Sequence, residues 1–282
     1  MDSGAIMTIF SFLFGLIVGS FLNVCIHRIP EGKSIIHPSS TCPHCGTRIK
    51  FYDNIPLVSY VILLGKCRSC RHPISIRYPI VEILTGLLST ALFLRYGLGP
   101  QYFLFFAFSA ALIIVSFVDL NYKIIPNVIS LPGILAGLAA TSVFRLNGLS
   151  WMDSLIGIVV GGGSLYLIGL IFKWLRGKEG MGLGDVKLLA MIGAWMGYLA
   201  LPYIVLISSL TGAIIGGGSL LLTRRKFGET IPYGPFLVLG TLVYLFFGTE
   251  LRHLWSHYLN LSSRVVSCNC PFIASEQGYY LI

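Results

Sequence analysis

The sequence predicts an all-α integral membrane protein: a polytopic bundle of about eight transmembrane helices, with one long loop that holds four cysteines. Three observations point there. Hydrophobic residues make up 55% of the 282 and charged residues 11%, with a mean hydropathy of +0.81. A soluble domain averages about 25% charged residues, so this chain lacks the means to coat a water-facing surface. Its apolar residues also come in blocks of the ~20 residues that cross a ~30 Å hydrocarbon layer. Finally, its basic residues fall in alternate loops between those blocks.

Eight spans are predicted, at approximately 5–26, 78–96, 101–118, 126–144, 154–172, 186–200, 202–222 and 233–249. The sixth is short and broken by glycine. The first lacks the basic start and small-residue cleavage site of a removed signal peptide, so it is expected to stay as a span. The organisation that follows is a first transmembrane helix at 1–26, a loop at 27–77, a helical bundle at 78–249 and an exterior tail at 250–282. Within the loop, Ile55 to Gly65 is apolar but too short to cross, and is expected to pack inside the loop or lie at the interface. Gly161–Gly163 and Gly216–Gly218, inside spans, suit close helix packing.

With the N-terminus outside, the inside loops hold sixteen of the twenty Lys and Arg, leaving Arg95, Arg145, Arg252 and Arg264 outside. Such asymmetry orients membrane proteins, and it places both termini outside and loop 27–77 in the cytoplasm. It also accounts for the net charge of +9 without nucleic acid. The chain has neither a basic stripe nor the interleaved aromatic residues of a nucleic-acid groove.

Cys42-Pro-His-Cys45 and Cys67-Arg-Ser-Cys70 form two CxxC pairs in that loop. Four thiolates at this spacing suit tetrahedral zinc in a closed, structural site. Two disulfides are the alternative, disfavoured in a reducing cytoplasm. His44 and His72 are close in sequence, but four cysteines fill the shell. Cys25 reads as a small apolar residue at a span end; Cys268 and Cys270 receive no assignment.

Only eleven residues are acidic, and two of them press against apolar blocks. Asp119 closes the third span in Val-Asp-Leu-Asn-Tyr-Lys, and Asp185 opens the sixth in Gly182-Leu-Gly184-Asp185-Val-Lys187. Ionisable groups at membrane depth are costly and mark function by default. Two spans separate the pair, which returns both to the same membrane face. Facing carboxylates that share a proton are the machinery of aspartyl proteolysis, one activating water and the other protonating the peptide carbonyl. From helix ends alone, Asp185 at an N-terminus is expected to be the anion and Asp119 at a C-terminus the proton holder. Gly182 and Gly184 would let substrate backbone approach. For each carboxylate alone, the plain alternative is an interfacial cap.

At this point the residues resemble a known family, the bacterial type IV prepilin peptidases. The resemblance runs in order along the chain to about residue 248: Gly19-Ser-Phe-Leu-Asn23-Val with Arg28-Ile-Pro30; the CxxC pairs flanking Tyr52-Asp53-Asn54-Ile-Pro56; Arg77-Tyr78-Pro79-Ile-Val-Glu82; Asp119 with Ile125-Pro126-Asn127; the Asp185 segment; and Ile231-Pro-Tyr-Gly-Pro235-Phe. It implies an enzyme of the bacterial inner membrane with its active site on the cytoplasmic side. Such an enzyme cleaves the leaders of type IV prepilins and type II secretion pseudopilins with Asp119 and Asp185. It then methylates the new N-terminus from S-adenosylmethionine. No dinucleotide-type glycine fingerprint is visible, so the methyl-donor site must be unconventional; Glu82 and the zinc loop are its candidates. The plain alternative for Glu82 is a buried partner for Arg77 or another loop arginine.

Three other readings compete. A presenilin-like intramembrane protease shares the Gly-x-Gly-Asp element, but the cytoplasmic zinc loop and edge placement of both acids argue against it. A proton-coupled transporter calls for acids at mid-membrane and inverted repeats. A zinc-bearing membrane scaffold leaves the paired acids unexplained.

Overall fold

The computed structural model describes residues 3–177, 182–223 and 232–267. Among them lie nine α-helices and no β-strands beyond two isolated bridges: α1 Ser3–Arg28, α2 Val58–Ile62, α3 Arg77–Tyr96, α4 Pro100–Tyr122, α5 Asn127–Phe144, α6 Trp151–Arg176, α7 Leu183–Met196, α8 Leu201–Thr223 and α9 Gly234–Ser267. Seven of these helices, all but α2 and α7, are long and apolar enough to cross a membrane. The chain is therefore a multi-pass membrane protein.

The predicted sixth span is α7. With 14 residues, it rises about 21 Å, short of a ~30 Å hydrocarbon layer. It survives because it is buried on every side: Leu188 through Met196 are all buried. Phe108 of α4 stacks on Trp195 at 4.7 Å between centroids. Trp195 Nε1 donates to the Gly133 carbonyl of α5, and Ser154 Oγ of α6 donates to the Ala194 carbonyl. Polar groups at this depth must find partners inside the protein, and these two bonds fix α7 to both flanks.

Glycine sets how closely the helices approach. A Cβ on Gly193 would stand 2.1 Å from the carbonyl oxygen of Gly157, so α6 and α7 touch backbone to backbone. Likewise, a Cβ on Gly15 or Gly19 would meet the Cα of Gly86 or of Glu82 at 2.7 and 2.8 Å, which locks α1 onto α3 in the small-xxx-small manner of membrane helices. Of the glycine runs marked in the sequence, Gly161 abuts the Leu189 carbonyl, whereas Gly163 and Gly218 face open space.

Two apolar clusters follow. One joins α1, α3 and α4 through Leu22, Cys25, Ile26, Val81, Ile113 and Val118, so Cys25 is the packed apolar residue its position suggested. The larger one joins α4, α7, α8 and α9 and includes Phe105, Leu189, Ile204 and Leu237. Helix α9 bends at Phe247 (φ −123°, ψ 16°), where Arg95 donates to the Phe246 carbonyl; a side chain inserted into the carbonyl ladder is a recognised cause of kinks. Beyond the bend the helix continues to Ser267, so residues 250–267, read as tail, are helical. Cys268 and Cys270 lie outside the described residues, as do Lys178 and Arg224–Lys226.

Candidate functional site

The two acids marked in the sequence come together. Asp119, in the last turn of α4, and Asp185, in the first turn of α7, line one cavity of about 260 Å³ with Lys123, Ile125, Asn127, Gly182, Gly184 and Lys187. Asp119 is 5% exposed, and both carboxylates border the same cavity. The placement follows from local sequence. Lys123 ends α4 in a left-handed residue, and Pro126 caps the start of α5, so the chain turns back directly below Asp119.

Sequence reasoning missed the third element of this site. The N–H of Gly234 opens α9 and donates to Asp119 Oδ2 at 3.0 Å. A Cβ at Gly234 would lie 2.5 Å from that oxygen, so only glycine permits the approach. Asp119 therefore stands at the N-terminus of α9 as well as the C-terminus of α4. The expected division of roles rested on the C-terminus of α4 and the N-terminus of α7. A hydrogen bond to a charged group contributes ~1.5–3 kcal/mol, against up to ~2 kcal/mol for a buried charge at a helix end. The donor from α9 acts against the dipole of α4. The clue in the sequence was the Pro-Tyr-Gly-Pro run, which starts a helix but names no partner.

A second contact missed from the sequence ties the walls of the cavity. Lys187 Nζ donates to Asn127 Oδ1 at 2.8 Å, joining α7 to the start of α5. The two glycines differ from each other. Gly182 is exposed beside Asp185, while Gly184 is where α7 packs on Ile125, 3.1 Å from a would-be Cβ.

The four loop cysteines also meet. Their sulfurs all lie within 4.8 Å of one another, with Cys42 and Cys70 3.9 Å apart, and none is in a disulfide. Sulfurs on a tetrahedral zinc with ~2.3 Å bonds stand about 3.8 Å apart, so the cluster can bind a metal of that kind. The two knuckles repeat each other. Cys42 N–H donates to Thr47 O, Cys67 N–H donates to His72 O, and a bridge closes each turn. Gly46 and Arg71 hold the matching left-handed positions. Hydrogen bonds from Thr47, side chain then backbone, lower the Cys45 thiol to about 6. The N–H groups of Cys70 and Ser69 lower Cys67. Both effects favour the thiolate that a metal requires, whereas Cys70, despite a backbone bond from His72, is pushed up to about 11 by burial and the neighbouring thiols. His44 and His72 stack on each other at 4.2 Å between centroids, outside the sulfur cluster.

Glu82 is buried, and its Oε2 accepts the Leu57 N–H at 2.9 Å; among the described residues it forms no ion pair. It therefore tethers the loop to α3 rather than answering Arg77. Ser20 of α1 lies beside the same carboxylate. Just beyond, a cavity of about 350 Å³ opens between α1 and the loop, lined by Ile17, Ser20, Phe21, Arg28, Asn54 and Pro56 among others. Asp53 and Arg68 form a bidentate pair, at 2.6 Å in its shortest contact, that ties the second knuckle to the segment before α2.

The family model for the bacterial peptidase A24 N-terminal domain matches residues 13–96, and that for the type IV leader peptidase family matches residues 106–217. A prepilin leader peptidase/N-methyltransferase of Aeromonas hydrophila is 40% identical over 266 residues, covering 85% of this chain and 90% of the relative. A protein of the same description from Pseudomonas aeruginosa is 39% identical over 269 residues, covering 87% and 92%. One from Burkholderia pseudomallei is 37% identical over 265 residues, covering 85% of each. No solved structure matches the chain.

Proposed function

The chain belongs to the type IV leader peptidase family, and on that premise we propose that Asp119 and Asp185 are the catalytic pair with which it removes prepilin leaders. The chain is a protease and N-methyltransferase: it cleaves the leader peptide of type IV prepilins and methylates the new N-terminus. The observation that carries the assignment of residues is the single cavity lined by both carboxylates.

Asp119, holding the Gly234 N–H, is the ionised member and takes a proton from water. The oxygen of that water attacks the scissile carbonyl while Asp185 gives its proton to the carbonyl oxygen. Collapse of the tetrahedral intermediate returns a proton to Asp185 and passes the other to the leaving amine. The pair titrates as a unit, so these roles describe one proton shared by two sites. Gly182, exposed beside Asp185, leaves room for substrate backbone. The basic loops set both termini outside and this cavity at the cytoplasmic face of the inner membrane.

The cysteine cluster holds a structural zinc, which folds loop 27–77 and takes no part in hydrolysis. Methyl transfer is assigned to that loop and cleavage to the bundle at 78–249. The methyl donor, S-adenosylmethionine, binds in the cavity between α1 and the loop. Its ~350 Å³ falls within the range of small-molecule sites, and its wall joins apolar Ile17 and Phe21 to the polar Ser20 and Asn54. Glu82 stands behind that wall, where it holds Leu57 in position. Type II secretion pseudopilins, whose N-termini call for the same chemistry, are further substrates.

Co-expression with a prepilin tests the reading by mass. The expected product has lost its leader and gained 14 Da on the new N-terminal residue. A product that is cleaved but unmethylated removes the methyl-transfer half, and an intact precursor removes both.

A further inference from the structure

The loop between α1 and α3 carries an apolar surface that no described residue covers. Phe51 is 87% exposed, Leu64 81%, Val61 and Ile62 68% each and Val58 50%. On α2, Val58, Val61 and Ile62 stand at i, i+3 and i+4 and so share one face, while Ser59 points inward and is buried. Grouped apolar side chains of this kind mark an interaction surface rather than ordinary scatter.

The depth of that surface follows from one hydrogen bond. Leu57, directly before α2, is tied through its N–H to Glu82. Glu82 lies five residues past Arg77, the start of α3, and is therefore about 7.5 Å further along the helix. On α1 the same level falls at Gly19, whose would-be Cβ meets the Cα of Glu82, while Arg28 ends that helix nine residues on. Thus α2 begins about 7.5 Å below Arg77 and about 13.5 Å below Arg28, deep enough to reach the level where interfacial helices bury their apolar face.

Its neighbours carry the same character. Ile80 and Ile83 of α3 are exposed, and Ile17 and Phe21 of α1 line one cavity with Asn54 and Pro56. The apolar surface is therefore continuous with the membrane-spanning faces of both helices. Lys50, Lys66 and Arg71 are exposed in the same segment, and basic groups beside an interfacial helix favour anionic headgroups.

We infer that α2, with Phe51 and Leu64, seats in the bilayer at the headgroup–acyl boundary and fixes the height of the cysteine cluster above an anionic phospholipid surface. Seating depends on the apolar face alone, not on which reaction the loop serves.

The full chain reconstituted in phosphatidylethanolamine/phosphatidylglycerol vesicles tests this seating. A fluorescent amino acid is placed at Val61 and, in a second preparation, at Leu64. Nitroxide on the upper acyl chain is expected to quench both by about twofold or more, with aqueous iodide having little effect. Quenching by iodide instead overturns the seating in favour of a water-facing loop. Protection from both quenchers also overturns it, because a second copy or another protein surface then covers the face. The unmodified chain gives an independent measurement in case either substitution disturbs folding. Carbene-generating phospholipid is expected to label the peptide spanning 51–64, and an unlabelled peptide contradicts the inference.

Discussion

Gly234 N–H donates to Asp119 Oδ2 at 3.0 Å, so the first turn of α9 is built directly onto a carboxylate at the end of α4. The contact joins residues 115 positions apart and gives Asp119 a donor that favours its ionised form.

Replacing Gly234 by Ala puts a methyl group 2.5 Å from that oxygen, and either the turn or the carboxylate must move. Loss of a hydrogen bond to a charged group at ~1.5–3 kcal/mol corresponds to roughly a 10- to 100-fold slower chemical step. Initial rates of leader cleavage in detergent are expected to show that fall in kcat with KM little changed. A wild-type kcat means the contact does not matter to the chemistry.

Lys187 and Asn127 tie α7 to α5 across the cavity. Lys187→Met keeps most of the stem and loses the tie. Cleavage is expected to slow by about 3- to 10-fold, and Asn127→Ala to match it. The double variant is expected to be no slower than either single one, since two partners in one bond are not additive. Full additivity of the two losses shows separate roles.

Much of this was legible before the structure. The bundle was legible because apolar block length is tied to bilayer thickness, and the cysteine cluster because a CxxC pair is a local geometric unit. Asp119 and Asp185 stood out as acids beside apolar runs. The contacts that distant segments make were not legible. Nothing in Pro-Tyr-Gly-Pro says that its amide finds Asp119, nor does Ile-Pro-Asn say that Asn127 receives Lys187. Glu82 was visible as a buried acid, but its partner is a backbone N–H, which no sequence pattern marks. Its length and its glycines made α7 look like a weak span; its burial on all sides is a property of its neighbours.

Cys42→Ser removes one of four sulfurs that stand within 4.8 Å of one another. Bound zinc, measured by elemental analysis, is expected to fall from about one per chain to near zero, with loop 27–77 becoming the first site cut by protease. Retention of a full equivalent of zinc by this variant would falsify the ligand set.

The Asp53–Arg68 pair gives the loop a dependence on pH. Hydrogen bonds from the Arg68 guanidinium hold the Asp53 carboxyl below its ordinary value, which is ~3.9. Its contribution to stability is therefore complete above about pH 4 and lost as pH falls through the lower folded value. Hydrogen exchange in residues 51–75 is expected to be slower in the wild type than in Asp53→Asn by a constant factor from about pH 5 to 8. That difference disappears in acid. A difference that instead grows on acidification contradicts the assigned sign.

The central claim is that Asp119 and Asp185 together cut the leader. Single-turnover cleavage of a purified prepilin by Asp119→Asn and by Asp185→Asn tests it most directly, with methyl transfer to a pre-cleaved pilin followed in the same preparations. Each variant is expected to lose at least about a thousandfold in cleavage, on the scale of removing a catalytic acid or base, while keeping zinc and methyl transfer. Cleavage at the wild-type rate by either variant contradicts the claim.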